Sequence, residues 1–483
     1  MQFNSYEYVL LFLPVTVLLY FLLNRIHVRA GKLLLIAASL VFYAWTGPKE
    51  LIVLGISVVV NYVFALLIQK GGKWRRVYLI IPVAVNVCLL FWFKYLDFAV
   101  SNVNRLLHTE YAFRTLALPL GISFFTFQQI AYVVSVFRGE VEKADLIDYL
   151  VYILYFPKIL MGPLTEPSEF LAQLNDDSLK KWNWENLVSG LKLFSFGLFK
   201  KLLLADTFAK AVSWGFGSIS ETTSMDWILI MLCYTFQIYF DFSGYSDMAT
   251  GSSLMLNIML PINFDSPYKA LNIRDFWKRW HVSLTKFLTK YIYIPLGGSR
   301  KGKWFTCLNT LIVFLISGIW HGANWTFIVW GILHGLLMIF DRATEKRQES
   351  IFKPVRWLVS FSAVNVLWLL FSSYTVRQWG SILKLILRFE SMSVSEELIR
   401  QFVIPESVFF ANVIPFIDNL STSVYGFWML LFLTAAFVIV LIPENNYRSL
   451  RRTSPWSMAA AALAFLWGVI CLGSETVFVY FRF

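Results

Sequence analysis

With 483 residues, 58% of them hydrophobic and only 15% charged, the chain is too apolar for a soluble globule, whose apolar share is nearer half. Its formal net charge of +12, from 42 basic and 30 acidic residues, excludes nothing by itself, but in a lipid-embedded chain Lys and Arg collect in cytoplasmic loops, so the charge is read as orientation rather than as a nucleic-acid footprint. The four cysteines, Cys88, Cys233, Cys307 and Cys471, show no CxxC spacing and read as small buried hydrophobes, neither a disulfide framework nor a metal site.

Separate apolar runs of about 17 to 25 residues predict spanning helices; barrel strands would alternate polar and apolar residues. The first run, Tyr8 to Leu23, lacks a basic flank before it and a small-residue cleavage site after it, so it reads as a retained helix. Arg25, His27, Arg29 and Lys32 then place the following loop in the cytoplasm and the N-terminus outside. Leu33 to Trp45 and Leu51 to Gln69 are joined by a Gly47-Pro48 turn, and Lys70, Lys73, Arg75 and Arg76 mark the cytoplasmic face again. A fourth span, Val77 to Phe93, leads to an outer loop with Asn102, Asn104 and His108.

The middle third is less regular. Gly121 to Gln129 is rich in hydroxyls and amides within an apolar frame, which predicts an interior-facing helix. Tyr155 to Pro163 holds two prolines and a lysine, the signature of a broken or re-entrant segment. Leu187 to Leu204 contains Lys200-Lys201, either a cytoplasmic end or a basic step facing the interior. Trp227 to Phe242 reads as a span ending in Asp241 to Asp247. Lys269, Arg274, Lys278, Arg279, Lys286, Lys290, Arg300, Lys301 and Lys303 then form the strongest basic cluster of the chain. Within it, residues 276–290 have the pattern of an interfacial helix, with Trp277, Trp280, Phe287 and Leu288 set against Lys278, Arg279, Lys286 and Lys290.

Phe305 to Trp320 and Trp325 to Phe340 flank a turn at His321, and Arg342 to Arg356 return the chain inside. Leu358 to Phe371 leads out to a long acidic loop with Glu390, Glu396, Glu397, Glu406 and Asp418. Phe427 to Ile442 and Met458 to Leu472 complete the count and leave the C-terminus outside. The expectation is an all-α polytopic membrane protein with about a dozen transmembrane helices plus re-entrant or interfacial ones.

Chemistry points first to His321. A titratable ring between two membrane-embedded segments is costly and marks function by default, and neutral imidazole is the natural general base near neutral pH. The plainer account is a structural histidine bonding a carbonyl across a helix break. His281, after Trp280, could pair with His321, orient substrate or lie at the membrane surface. Asp241 and Asp247 would find basic partners, or orient a histidine. The Pro295 to Arg300 turn, with Gly297, Gly298 and Arg300, could cradle phosphate, although a plain turn explains it too. No metal-ligand spacing links these residues.

The segments Gly121 to Gln128, Phe240 to Asp247, Asp275 to Leu284, Tyr293 to Gly298 and Trp320 to Gly322 resemble, in the same order, those of the membrane-bound O-acyltransferases. Gly197 to Lys201 and the closing Phe478 to Phe483 are similar to the bacterial branch of the alginate O-acetyltransferase membrane subunit. The resemblance implies one membrane-embedded domain over 1–483, with N-terminal helices at 1–115, a catalytic core at 116–345 and C-terminal helices at 346–483, arranged around a central tunnel. It implies an acyl group, acetyl in this branch, taken from a cytosolic thioester (acetyl-CoA or an acyl carrier protein) with no bound cofactor. The acceptor would be a cell-envelope polysaccharide or peptidoglycan, reached through an exported SGNH or serine esterase-like partner. His321 and His281 would be catalytic, with Trp280, Arg279, Trp320, Asn324, Gln128, Asp241 and Arg300 binding the donor or lining the tunnel. The location would be the plasma membrane. D-alanyl transfer to teichoic acid, within the same family, and a transporter or flippase of envelope precursors are the alternatives. Glu166, and the residue after Phe371, stand where the family pattern leads one to expect arginine.

Overall fold

The computed structural model describes all residues except Thr46, 112–116, 144, 405–420, 474–477 and 479–483, and the side chains of 421–425. The closing 479–483 stretch, Glu406 and Asp418 therefore lie outside the described residues. Within them, every regular element is a helix, as lipid requires of a spanning chain whose backbone must satisfy itself.

In chain order the elements are α1 (Glu7–Ile26), α2 (Val28–Ala44), α3 (Glu50–Lys70), α4 (Arg75–Leu107), α5 (Ile122–Arg138), α6 (Leu146–Leu154) and α7 (Pro167–Leu174). They continue with α8 (Trp184–Phe199), α9 (Asp206–Gly217), α10 (Ser224–Met255), α11 (Ile273–Arg279), α12 (Val282–Leu288), α13 (Lys303–His321) and α14 (Trp325–Glu349). The last are α15 (Lys353–Ser372), α16 (Val376–Arg388), α17 (Glu396–Arg400), α18 (Ser421–Leu441) and α19 (Pro455–Cys471). Among the described residues six of them (α1, α3, α4, α13, α14 and α15) are long and apolar enough to cross a membrane, against the dozen or so expected.

Several elements differ from the expectation. The loop expected on the outer side is helical through Leu107, because α4 runs on through a π-helical segment, Phe91–Tyr95. The span expected to end near Phe242 is part of one 32-residue helix, α10, which passes both aspartates because each is neutralised in place. Lys200 bonds Asp247 at 2.7 Å, and Lys201 bonds Asp241 at 2.8 Å and Asp206 at 2.9 Å. The lysine pair is thus an interior step, held on another π-helical segment, Lys200–Ala205, that extends α8.

The expected interfacial helix over 276–290 is broken between α11 and α12. His281 sits in the break at φ +46 with 1% of its surface exposed, so it is no interfacial residue. The broken segment expected at Tyr155 to Pro163 is present as buried, non-helical backbone between α6 and α7. Its groups are satisfied by neighbours: Phe156 N–H donates to Ser39 Oγ at 3.0 Å, and Leu164 N–H to Ser283 Oγ at 3.1 Å. The acidic loop expected on the outer side contains a helical turn, α17.

Close helix contact builds the core. On α8 and α10 glycines recur at seven-residue spacing and meet in pairs. A Cβ on Gly190 would lie 2.7 Å from Gly251 O, and one on Gly197 2.7 Å from Gly244 O. Small residues let backbones approach where lipid gives no hydrophobic drive. The peripheral α3 and α4 are joined by amides, with Asn86 Nδ2 donating to Asn61 Oδ1 at 2.7 Å. On the far side, α13 and α14 pack as a hairpin through Gly318 and Gly331. That hairpin sets His321 at the end of a spanning helix, about 27 Å along the axis from Lys303 at about 1.5 Å per residue.

Candidate active site

His321 is the last residue of α13, and the chain turns extended at Gly322, with φ −173. The residue is 5% exposed and its ring is packed among aromatics: centroids lie 5.0 Å from Trp320, 5.2 Å from Trp330 and 5.3 Å from Phe371. Trp320 stands between the two histidines, its centroid 6.3 Å from that of His281. It also stacks on Phe127 at 5.2 Å and donates Nε1–H to Ser123 O at 3.2 Å. His334, two turns below Phe327 on α14, accepts from Trp277 Nε1–H at 3.2 Å and extends the ring cluster.

His281 is held by one side chain. Its Nδ1 meets Asn263 Oδ1 at 2.9 Å, and the same oxygen accepts from Ser283 Oγ–H at 2.8 Å. An amide oxygen is only an acceptor, so Nδ1 carries the proton and Nε2 presents a lone pair. Asn263 is fixed in turn through Nδ2–H to Ser246 Oγ at 3.2 Å, and its carbonyl accepts from Val282 N–H at 2.9 Å. Here a non-glycine residue in the left-handed region, normally strained, is stabilised by its surroundings.

Two cavities lie around the site, the first lined by His321 and the second by Trp277 and Ser317 of the neighbouring helices. One, of about 100 Å³, is lined by Lys94, Leu118 to Phe124, Leu160, Met161, Trp320 and His321. Its wall is the turn before α5, where Gly121 has φ +72 and a Cβ would meet Ile159 O at 2.8 Å. That turn is pinned by Leu120 N–H donating to Glu50 Oε2 at 2.6 Å and Tyr43 O–H donating to Leu120 O at 2.7 Å. The other cavity, of about 230 Å³, lies between α11–α12 and α13–α14. It runs past Thr285, Thr289, Phe314 and Ser317 from Trp277 to Arg342, at the basic end of the hairpin.

Of the residues singled out in the sequence, His321, His281 and Trp320 come together. Trp280 lies one ring further out, 4.8 Å from Trp368, which stacks on Trp330 at 5.8 Å. Arg279 is turned to Asp275 at 2.8 Å and to Asp265 O at 3.2 Å. Asp241 pairs with Lys201, although its neighbour Phe242 packs 4.8 Å from the His281 ring. Gln128 Oε1 accepts from the buried Lys158 at 2.8 Å. Asn324 caps α14, accepting from Thr326 N–H at 3.0 Å and donating to Tyr374 O at 3.0 Å. Arg300 is exposed in its turn, away from the histidines. Asn263 and Lys94 belong to the site and were not legible. A lone asparagine in a loop gives no signal, and a lysine at the end of an apolar run reads as a surface anchor.

A model of the membrane-bound O-acyltransferases matches residues 80–378, which contain both histidines and both cavities. The chain belongs to the membrane-bound O-acyltransferase family. A peptidoglycan O-acetyltransferase of Helicobacter pylori is 40% identical over 415 residues, 79% of this chain and 79% of its own. A probable alginate O-acetylase of Pseudomonas aeruginosa is 35% identical over 405 residues, 82% of this chain and 76% of its own. More distant is a teichoic acid D-alanyltransferase of Streptococcus thermophilus, 28% identical over 295 residues, 54% of this chain and 69% of its own. As a family member the protein is a membrane-embedded O-acyltransferase.

Proposed function

We propose that this O-acyltransferase moves an acetyl group from a cytosolic thioester, acetyl-CoA or an acylated carrier protein, to a hydroxyl on the far side of the plasma membrane. The observation that carries the reading is the position of His321: it ends a spanning helix whose other end is basic, and it lines the cavity opposite the one that reaches Arg342. A central tunnel joining the two cavities past Trp320 would let the small acyl group cross while the charged donor stays inside, which avoids taking phosphate charge through lipid. One domain over 1–483 then serves both faces, with both termini outside by the distribution of basic residues.

In this reaction His321 takes the proton of the acceptor hydroxyl as its oxygen attacks the thioester carbonyl. The carbon–sulfur bond breaks, and the departing thiolate receives that proton. His281, with its proton fixed on Nδ1 by Asn263, assists on the donor side. The acceptor is a glycan of the cell envelope, peptidoglycan or an exopolysaccharide such as alginate, as the names of two relatives at 35–40% identity support. An exported SGNH or serine esterase-like protein is the partner that relays acetyl to the polymer. The D-alanyl alternative draws on the weaker match.

The test is transfer of labelled acetyl from acetyl-CoA by membranes carrying the full chain, with and without a candidate serine esterase-like protein. His321→Ala is expected to lower transfer by about 100-fold or more, the usual contribution of a positioned base. Transfer at the wild-type rate by His321→Ala would overturn the assignment.

A further inference from the structure

The carbonyls that end α13 are not left to water. Lys94, on the π-helical segment of α4, donates from Nζ to Trp320 O at 2.8 Å, to His321 O at 3.0 Å and to Ser123 Oγ at 3.3 Å. The next residue, Tyr95, donates its hydroxyl to Ile319 O at 2.8 Å. Three successive carbonyls of the turn bearing His321 are therefore held by two adjacent side chains of another helix. The π geometry is what lets neighbours on α4 converge on one target, and such insertions recur at functional sites. A helix C-terminus carries partial negative charge and unsatisfied acceptors, both of which an ammonium answers.

Lys94 is also a cation whose described partners are all neutral, and it lines the same cavity as His321. A lysine that only anchored its helix would extend to the membrane surface. This one turns instead into the site, where all its donors are taken by the α13 terminus and by Ser123 at the start of α5.

We infer that Lys94 is a positioning residue for acyl transfer: by clamping the Trp320–His321 carbonyls it fixes the turn that aims the His321 imidazole into the outer cavity. The inference rests on the reading of His321 as the base. A base misplaced by about 1 Å can lose about 100-fold in rate while substrate binding is retained.

The experiment is steady-state release of CoA from acetyl-CoA by the full chain in proteoliposomes, with a serine esterase-like protein that supports release by the wild type and chitotetraose as the acceptor probe, alongside unfolding temperature in detergent. Lys94→Met is expected to lower kcat at least 30-fold with KM for acetyl-CoA unchanged within about twofold, and Lys94→Arg, which keeps charge and several donors, to recover kcat to within about fivefold of wild type. Tyr95→Phe, which removes a single capping bond, is expected to lower kcat a few-fold, again with KM unchanged. If Lys94→Met does not yield folded protein, Tyr95→Phe and Lys94→Arg decide: wild-type kcat in the first, or an inactive but folded second, overturns the inference. Wild-type kcat in Lys94→Met while His321→Ala is inactive overturns it alone. An active His321→Ala overturns the base assignment and this inference with it.

Discussion

At the scale of single residues, the His281 ring is positioned by an uncharged amide. Asn263 Oδ1 alone fixes the tautomer of His281, accepts from Ser283, and through Ser283 is tied to the broken segment at Leu164. Removing it leaves a buried ring nitrogen and a buried hydroxyl without their acceptor, an effect of about 1–3 kcal/mol for each unsatisfied group. Asn263→Ala is therefore expected to unfold at a lower temperature and to transfer acetyl more slowly. Asn263→Asp, which keeps an acceptor at the same place, is expected to lose less stability. Differential scanning fluorimetry with the CoA-release assay checks both, and equal stability of Asn263→Ala and wild type would remove Asn263 from this role.

At the scale of elements, the site depends on how closely helices approach. The glycines of α8 and α10 put backbone against backbone, and the same contact aligns Lys200 and Lys201 with Asp247 and Asp241. A leucine at Gly251 would bring its Cβ to 2.6 Å from Gly190 O, a clash that only helix separation relieves. Overpacking of this kind typically costs about 1–3 kcal/mol, and separation would also loosen two buried ion pairs, whose half-broken state is worse than their absence. Gly251→Leu is expected to lower the unfolding temperature clearly. Gly473→Leu, at a position where a Cβ meets nothing within 4 Å among the described residues, is expected to leave it unchanged. Equal unfolding temperatures for the two would show that the α8–α10 contact is not tight.

At the scale of the whole molecule, α5, the broken segment and the α12 region are tied by one charged hub. Lys290 bonds Glu140 and Glu166, both at 2.8 Å, and Tyr291 O–H adds a bond to Glu166 at 3.1 Å. Glu166, where the family pattern leads one to expect arginine, is thus the acidic half of an ion pair here. Partial burial works to raise the Glu140 carboxyl, but its bonds from Lys290 and Ser135 outweigh that and hold it below the ordinary value of 4.5. Lys290 is held above its ordinary range: burial opposes its charge, and the two carboxylates more than offset that. A depressed carboxyl contributes stability that is complete above pH 4.5 and is lost as pH falls through the folded value. The unfolding temperature is accordingly expected to drop on acidification below pH 4.5, and Glu140→Gln to drop less steeply there. Parallel acid limbs for the two proteins would refute the linkage.

Apolar runs, basic loops and a histidine within a greasy frame were readable along the chain, because burial in lipid imposes length and composition on each segment separately. Those local rules placed His321, the interior-facing α5 and the broken segment before α7. They did not determine that residues 276–290 break at His281, that α10 runs through two aspartates, or that Lys94 leaves the membrane surface for the end of α13. Each of these turns on a partner distant in sequence: Asn263 for the strained histidine, Lys200 and Lys201 for the carboxylates, and the carbonyls of Trp320 and His321 for the lysine. A buried polar group takes its role from whatever satisfies it, and only the packed tertiary structure brings that partner within reach.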